Sequence, residues 1–220
     1  ADALALVGVF GLARIFISLA GMDVGTSFGT LGGRREMLIG FLAEPALLMV
    51  IFTLAMIAQS TSLATIVETL AHRDLVIYPS LAFAGVAFTI VSLAENARVP
   101  VDNPATHLEL TMIHEAMILE YTGRHLALIE WAASLKLYAY SCLGLALFFP
   151  WGIAVGDSFT ALLAAIPLLL LKLAIGGVIL AGIETVNAKL RIFRAPEFLG
   201  TAFMLAVLGL LVRLLLEVKV

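Results

Sequence analysis

Charge is scarce in this sequence. Of its 220 residues only 13% are Asp, Glu, Lys or Arg, against about 25% in an ordinary soluble domain. The hydrophobic share is 62% and the mean hydropathy is +1.08. No soluble fold of this size hides so much apolar surface, so the solvent for most of the chain is lipid. Cysteine is almost absent too. The single Cys142 excludes an intrachain disulfide and reads as a small apolar residue inside an apolar run. With no other thiol, the sequence holds no zinc or iron–sulfur ligand set. A net charge of −3 gives no sign of nucleic-acid binding. Ala1–Ala20 has no basic n-region, which excludes a signal peptide. It reads as a spanning helix already under way, so a longer protein with preceding sequence is the expectation. Neither an internal repeat nor a low-complexity segment is visible, and residues 1–220 read as one transmembrane domain.

What is present is a series of long apolar runs. A bilayer crossing takes about 20 such residues. Six candidate spans follow: Ala3–Ala20, Leu38–Ala58, Ile77–Ala94, Leu126–Phe149, Phe159–Ile183 and Phe198–Leu216. The fold class is therefore all-α, a polytopic transmembrane bundle, with an interfacial helix near Ser62–Leu70. Basic residues are unevenly shared among the links. The first holds Arg34 and Arg35, the third Arg98 and Arg124, and the fifth Lys189, Arg191 and Arg194. The second holds only Arg73, and the fourth, around Pro150–Asp157, holds none. The positive-inside rule places the odd-numbered links in the cytoplasm. Arg213 and Lys219 at the C-terminal end oppose it weakly.

The third link, Glu95–His125, is the densest polar stretch. Pro100 and Pro104 break helix early in it. Thr106 with Glu109 spells a capping box, after which Leu108, Met112, Glu115 and Leu119 share a face. His107 and His114 lie two turns apart. The stretch reads either as a solvated helix or as an ion antechamber of carboxylates and histidines. A second group consists of charges inside the spans: Arg14, Glu44, Glu130, Lys136, Lys172 and Glu184. At mid-bilayer each costs about 2.5–3.5 kcal/mol on insertion scales, so they are expected to face protein or water. Arg14, Glu36 and Glu44 fit positions within a few turns of the cytoplasmic face, and Glu184 fits a helix end. Lys136 and Lys172 sit deeper, as structural pairs or on an ion pathway. Pro45, after Glu44, is expected to kink its helix and open a cavity. The first link, Gly21–Met37, is rich in glycine and small polar residues and reads as a close-packing loop. It lacks a Walker lysine and a strand–helix context, so it is expected to dock another subunit and not to bind phosphate. No nucleophilic triad, nucleotide fingerprint or pair of haem ligands occurs at credible spacing.

These residues resemble a family. Glu95, Arg98, Pro100, Asp102, Pro104, Glu109–Leu110 and the run Glu120-Tyr121-Thr122-Gly123 are similar to the signature loop of the respiratory complex I subunit that joins the membrane and peripheral arms. Several other stretches look like its relatives in group 4 membrane-bound NiFe hydrogenases, of the formate hydrogenlyase and hydrogenase-4 type. They are Gly21–Phe28, Arg35-Glu36, Leu42–Pro45, Trp131, Ser134–Lys136, Phe149–Gly152 and Glu184-Thr185. The resemblance covers essentially the whole chain. Ala105 and His107 stand where the family has glutamates, and about three extra residues within Thr111–Leu119 lengthen the loop.

The resemblance implies the last six helices of an eight-helix subunit. It implies a non-catalytic membrane anchor that couples redox chemistry in a soluble arm to proton or sodium movement. Glu44, Glu95, Asp102, Glu109, Glu115 and Glu120 would form the acidic route, with Lys136 and Lys172 as charge partners. Arg34, Arg35, Arg98 and Arg124 would serve subunit docking. NiFe and iron–sulfur centres are expected on partners, with no cofactor on this chain. The implied partners are hydrogenase large and small subunits, antiporter-like membrane subunits and the lipid bilayer, and the implied location is the cell inner membrane. Two alternatives stand beside this reading: the equivalent quinone-site subunit of complex I, and a stand-alone ion transporter. The second lacks an inverted repeat and paired broken helices.

Overall fold

The computed structural model describes residues 1–72, 79–102, 112–153, 159–187 and 194–217. Eight helices follow one another along the chain: α1 (Ala3–Asp23), α2 (Ser27–Ala58), α3 (Leu63–His72), α4 (Pro79–Glu95), α5 (His114–Ile118), α6 (Gly123–Phe148), α7 (Phe159–Val186) and α8 (Ala195–Val212). A π-helical turn, Arg213–Glu217, closes the described chain. The all-α membrane bundle read from the sequence is the observed architecture. Five helices are long and apolar enough to cross a bilayer, and α4 is a shorter apolar helix of 17 residues. The interfacial helix expected near Ser62–Leu70 is α3.

The largest departure from the sequence reading lies in the first link. It is helix, not loop. The connection shrinks to Val24–Thr26, where Gly25 takes a positive φ of 74° that a residue with a side chain adopts reluctantly. Thr26 then caps α2, its hydroxyl accepting from the Gly29 N–H at 3.2 Å. Glycine inside a helix costs roughly 0.5–1 kcal/mol relative to alanine, which is why the stretch reads as a breaker. Close packing offsets that cost. A Cβ on Gly29 would stand 2.4 Å from the Gly21 carbonyl oxygen, one on Gly32 2.8 Å from that of Ile113, and one on Gly33 2.9 Å from that of Ser18. Helix α2 therefore runs for 32 residues, about 48 Å at 1.5 Å per residue. That exceeds the roughly 30 Å hydrocarbon layer, so one end projects or the helix tilts. It continues through Pro45.

The core forms around α2. Ile39, Leu47, Val50, Ile51, Leu54 and Ile57 are buried on it against Ala84, Ala87, Phe88 and Val91 of α4 and Leu199, Ala202 and Ala206 of α8. Small residues let α4 and α8 approach closely: a Cβ on Gly209 would lie 3.1 Å from the Ser80 carbonyl oxygen. In lipid such close van der Waals packing replaces the hydrophobic driving force between helices. At one end of the bundle, Asp2 caps α1 through the Leu4 N–H at 2.8 Å and accepts from the Thr61 hydroxyl at 3.2 Å. This ties the start of α1 to the link after α2. Helix α7 behaves differently, since none of its apolar run Leu163–Val186 is buried against the other described residues.

Candidate functional site

Five charged side chains from four helices meet inside the bundle. Arg14 sits near the middle of α1, 3% exposed. Its Nε lies 3.0 Å from Glu36 Oε1 of α2, and its Nη1 lies 2.9 Å from Glu95 Oε1, the last residue of α4. The second Glu95 oxygen, Oε2, lies 3.0 Å from Lys136 Nζ of α6. Glu95 is thus a fully buried carboxylate held between two cations. Glu44, two turns beyond Glu36 on α2, completes the group and interacts with the charges of Arg14, Glu95 and Lys136. Three carboxylates face two cations.

Why these groups sit here follows from sequence and packing. Glu36, Gly40 and Glu44 are four apart on α2, so they share one face. Gly11 and Arg14 are three apart on α1 and share another. Removing either glycine's hydrogen for a Cβ would strike charge directly: at Gly40 it would meet Arg14 Cδ at 2.6 Å, and at Gly11 Glu44 Oε1 at 2.8 Å. Tyr140 of α6 seals the cluster from below. It is 1% exposed, stacks on Phe10 at 4.7 Å between ring centroids, and places its ring 5.9 Å from Lys136 Nζ. Taking an ion out of water costs several kcal/mol, repaid only when partners are close and well aligned. Here the distances are close, but none of the Arg14 nitrogens meets its carboxylates at a good hydrogen-bonding angle. The cluster is held by charge more than by directed bonds, an arrangement that permits exchange of partners.

A second group gathers where the third link folds back on α1 and α2. Buried Asp102 accepts from the His114 N–H at 3.0 Å, which fixes the start of α5. Arg35 donates to the Met112 carbonyl at 3.0 Å, and Tyr121 donates to the Ala20 carbonyl at 3.0 Å. Arg98 reaches Glu184 of α7 at 3.5 Å, both side chains about 30% exposed. Glu115 is half-buried, while Glu120, Arg34 and Arg124 are exposed.

Of the residues singled out in the sequence, the fold brings Glu44, Glu95 and Lys136 together. Asp102, Glu115, Glu120, Arg34, Arg35, Arg98 and Arg124 lie on the link side. Lys172 stands apart from both: its ammonium donates to the carbonyls of Phe149 and Trp151 at the end of α6, and it lines an apolar cleft of about 370 Å³ between α6 and α7. Glu109, and with it the Thr106–Glu109 capping box and His107, lies outside the described residues. Arg14 and Glu36 stand in the cluster although sequence reasoning placed them only near the cytoplasmic face. The signal was there: an arginine in the middle of an apolar run needs a carboxylate, and Glu36 with Glu44 flanks a glycine on one helical face.

With this geometry in view, the chain matches the NADH dehydrogenase family over residues 1–215. It is 31% identical over 210 residues to formate hydrogenlyase subunit 4 of Escherichia coli (strain K12), covering 94% of this chain and 67% of that protein. It is 33% identical over 211 residues to hydrogenase-4 component C of the same organism, covering 94% of this chain and 65% of that protein. A membrane-complex relative from Rhodopseudomonas palustris (strain ATCC BAA-98 / CGA009), a subunit of NADH-quinone oxidoreductase, is 31% identical over 151 residues, 66% of this chain and 46% of that protein. The chain thus spans about two thirds of the length of the first two relatives and less than half of the third.

Proposed function

This chain belongs to the NADH dehydrogenase family, and from that premise we propose that it is the membrane-anchor and ion-coupling subunit of a complex-I-like NiFe hydrogenase of the formate hydrogenlyase or hydrogenase-4 type. Two relatives with hydrogenase names align over 94% of the chain, whereas the quinone-linked one aligns over 66%. Catalytic NiFe and iron–sulfur centres would belong to partner subunits in the soluble arm. Here the work of the chain is to hold that arm on the cell inner membrane and to pass its charge changes into the bundle.

One observation carries the coupling role: Glu95, fully buried, is shared at 3.0 Å or less by two cations from different helices. Buried ionisable groups inside a membrane protein mark ion routes or paired structure. A carboxylate shared by two cations does both. It is the last residue of α4, immediately before the third link, so a shift of that link moves Glu95 relative to Arg14 and Lys136. When the carboxylate gains a proton or a sodium ion, its hold on both cations weakens, and Arg14 keeps Glu36. Redox-linked movement of the link and ion uptake at Glu95 then drive each other.

The test is Glu95→Gln in the assembled complex. Glutamine keeps the size and hydrogen-bonding capacity and removes the charge. Soluble partners should still co-purify, while ion uptake by inverted vesicles and coupled turnover fall together. Because removing one member of a buried pair can cost about 3–5 kcal/mol, the double variant Glu95→Gln/Lys136→Gln, which removes opposite charges together, is measured alongside. Wild-type uptake and turnover in both variants would reduce the cluster to a structural pairing.

A further inference from the structure

We propose that Arg14 is the positioning residue of the coupling step, a cation seated over Gly40 that holds Glu36 and Glu95 together and has Glu44, seated over Gly11, as its alternate partner. This assignment rests on the coupling role proposed for Glu95.

The geometry that supports it is a register. Helices α1 and α2 run antiparallel from the short Val24–Thr26 connection, and each step back along α1 meets a step forward along α2. Gly21 meets Gly29 and Ser18 meets Gly33, both through a carbonyl oxygen at less than 3 Å from where a Cβ would be. Further on, Arg14 lies over Gly40 and Glu44 lies over Gly11. The two helices therefore interlock, each offering one charged side chain to a glycine of the other. The lower two contacts are backbone against backbone and serve packing alone. The upper two are charged side chain against bare backbone, and no packing need dictates charge there.

The consequence concerns Arg14. Its guanidinium is confined by Gly40 on α2 and faces Glu36, Glu44, Glu95, Tyr140 and, across Glu95, Lys136. Glu36 and Glu44 lie on either side of Gly40, one helical turn away in each direction. A guanidinium centred on Gly40 can therefore turn from one carboxylate to the other without leaving its seat. The off-angle contacts to Glu36 and Glu95 leave that turn open. Lys136 has no such seat: it approaches from α6 on the far side of Glu95. Arg14 thus governs which carboxylates are neutralised when Glu95 changes charge.

Glycine substitution separates this role from simple loss of charge. Gly40→Ala alters no charge, and the atom it displaces is the Cδ of a flexible side chain. Gly11→Ala displaces the Glu44 carboxylate in the same way. Gly8→Ala, one turn earlier on α1 with open space around it, is the control. In inverted vesicles carrying the whole complex, Gly40→Ala and Arg14→Gln should each lower ion uptake at least ~10-fold, as expected when a reacting group is misplaced by about 1 Å. Both should shift the pH dependence of uptake, while partner subunits still co-purify and Gly8→Ala behaves as wild type. Arg14→Lys should recover part of the uptake, since it restores the charge without the planar fork. Normal uptake with an unmoved pH profile in both Gly40→Ala and Arg14→Gln overturns the assignment. If Glu95→Gln still abolishes uptake in that case, the coupling role of Glu95 stands without Arg14. If Glu95→Gln is also normal, both proposals fall.

Discussion

Asp102 shows how a single carboxylate can be read two ways. In the sequence it belongs to an acidic loop and invites an ionic role. In the fold it is 2% exposed and accepts the His114 N–H at 3.0 Å, closing the link onto α5. A buried donor left without its acceptor costs about 1–3 kcal/mol. Asp102→Ala should therefore loosen the segment from His114 to Ile118 by about that amount, seen as faster amide exchange there, whereas Asp102→Asn, which still offers a carbonyl oxygen, should lose less. Equal exchange in both variants and wild type would return Asp102 to the ion route alone. The contrast with Arg14 is instructive. Its isolation in an apolar run was visible, but its partners lie 22 and 81 residues away in the chain, at Glu36 and Glu95, and no local pattern announces such a pairing. Lys172 was equally visible as a charge in a span. That it would cap the end of α6 depends on where α7 crosses, which sequence spacing does not encode.

Elements were legible where apolar length decides and illegible where packing does. The spans starting at Ala3 and Phe159 begin where the apolar run begins. Helix α2 begins 11 residues before its expected start at Leu38, since glycines that weaken an isolated helix strengthen one pressed against neighbours. The same glycines give the third link its docking floor. A Cβ at Gly32 would meet the Ile113 carbonyl at 2.8 Å and the Ala116 Cβ at 2.9 Å, and a backbone atom cannot swing aside as a side chain can. Gly32→Ala should gain helix propensity of roughly 0.5–1 kcal/mol within α2 yet loosen α5 and expose Met117 to oxidation. Limited proteolysis between Met112 and Thr122 measures this. Unchanged cleavage rates would mean that α5 is held by Asp102, Arg35 and Tyr121 without the glycine floor.

At the scale of the whole molecule the two ends of the bundle differ in chemistry. One end gathers the close of α1, the start of α2, α5 and the start of α6, tied by Arg35 to Met112 and Tyr121 to Ala20. Arg98 joins the end of α7 to it through Glu184, and Arg34 and Arg124 stand exposed there. The other end holds Asp2, Thr61 and α3, with no arginine or lysine among its described residues up to His72. Basic residues near span ends are retained in the cytoplasm during insertion, so the Arg34–Arg98–Arg124 end should face inward and α3 should lie at the outer surface. Single cysteines test this in a Cys142→Ala background, which removes the native thiol. Thr65→Cys on α3 and Glu120→Cys after α5 both place an exposed residue in water. In intact cells a membrane-impermeant thiol reagent should label Thr65→Cys and spare Glu120→Cys, and inverted vesicles should show the reverse. The opposite pattern would invert the subunit. It would put the Glu95 link on the outer side, out of reach of a cytoplasmic redox arm, and so remove the physical basis for coupling through it. The expected pattern places the start of α2, which the bilayer is too thin to cover, on the cytoplasmic side. There Arg34 and the α5 floor form one continuous surface with the link whose first residue is the shared carboxylate.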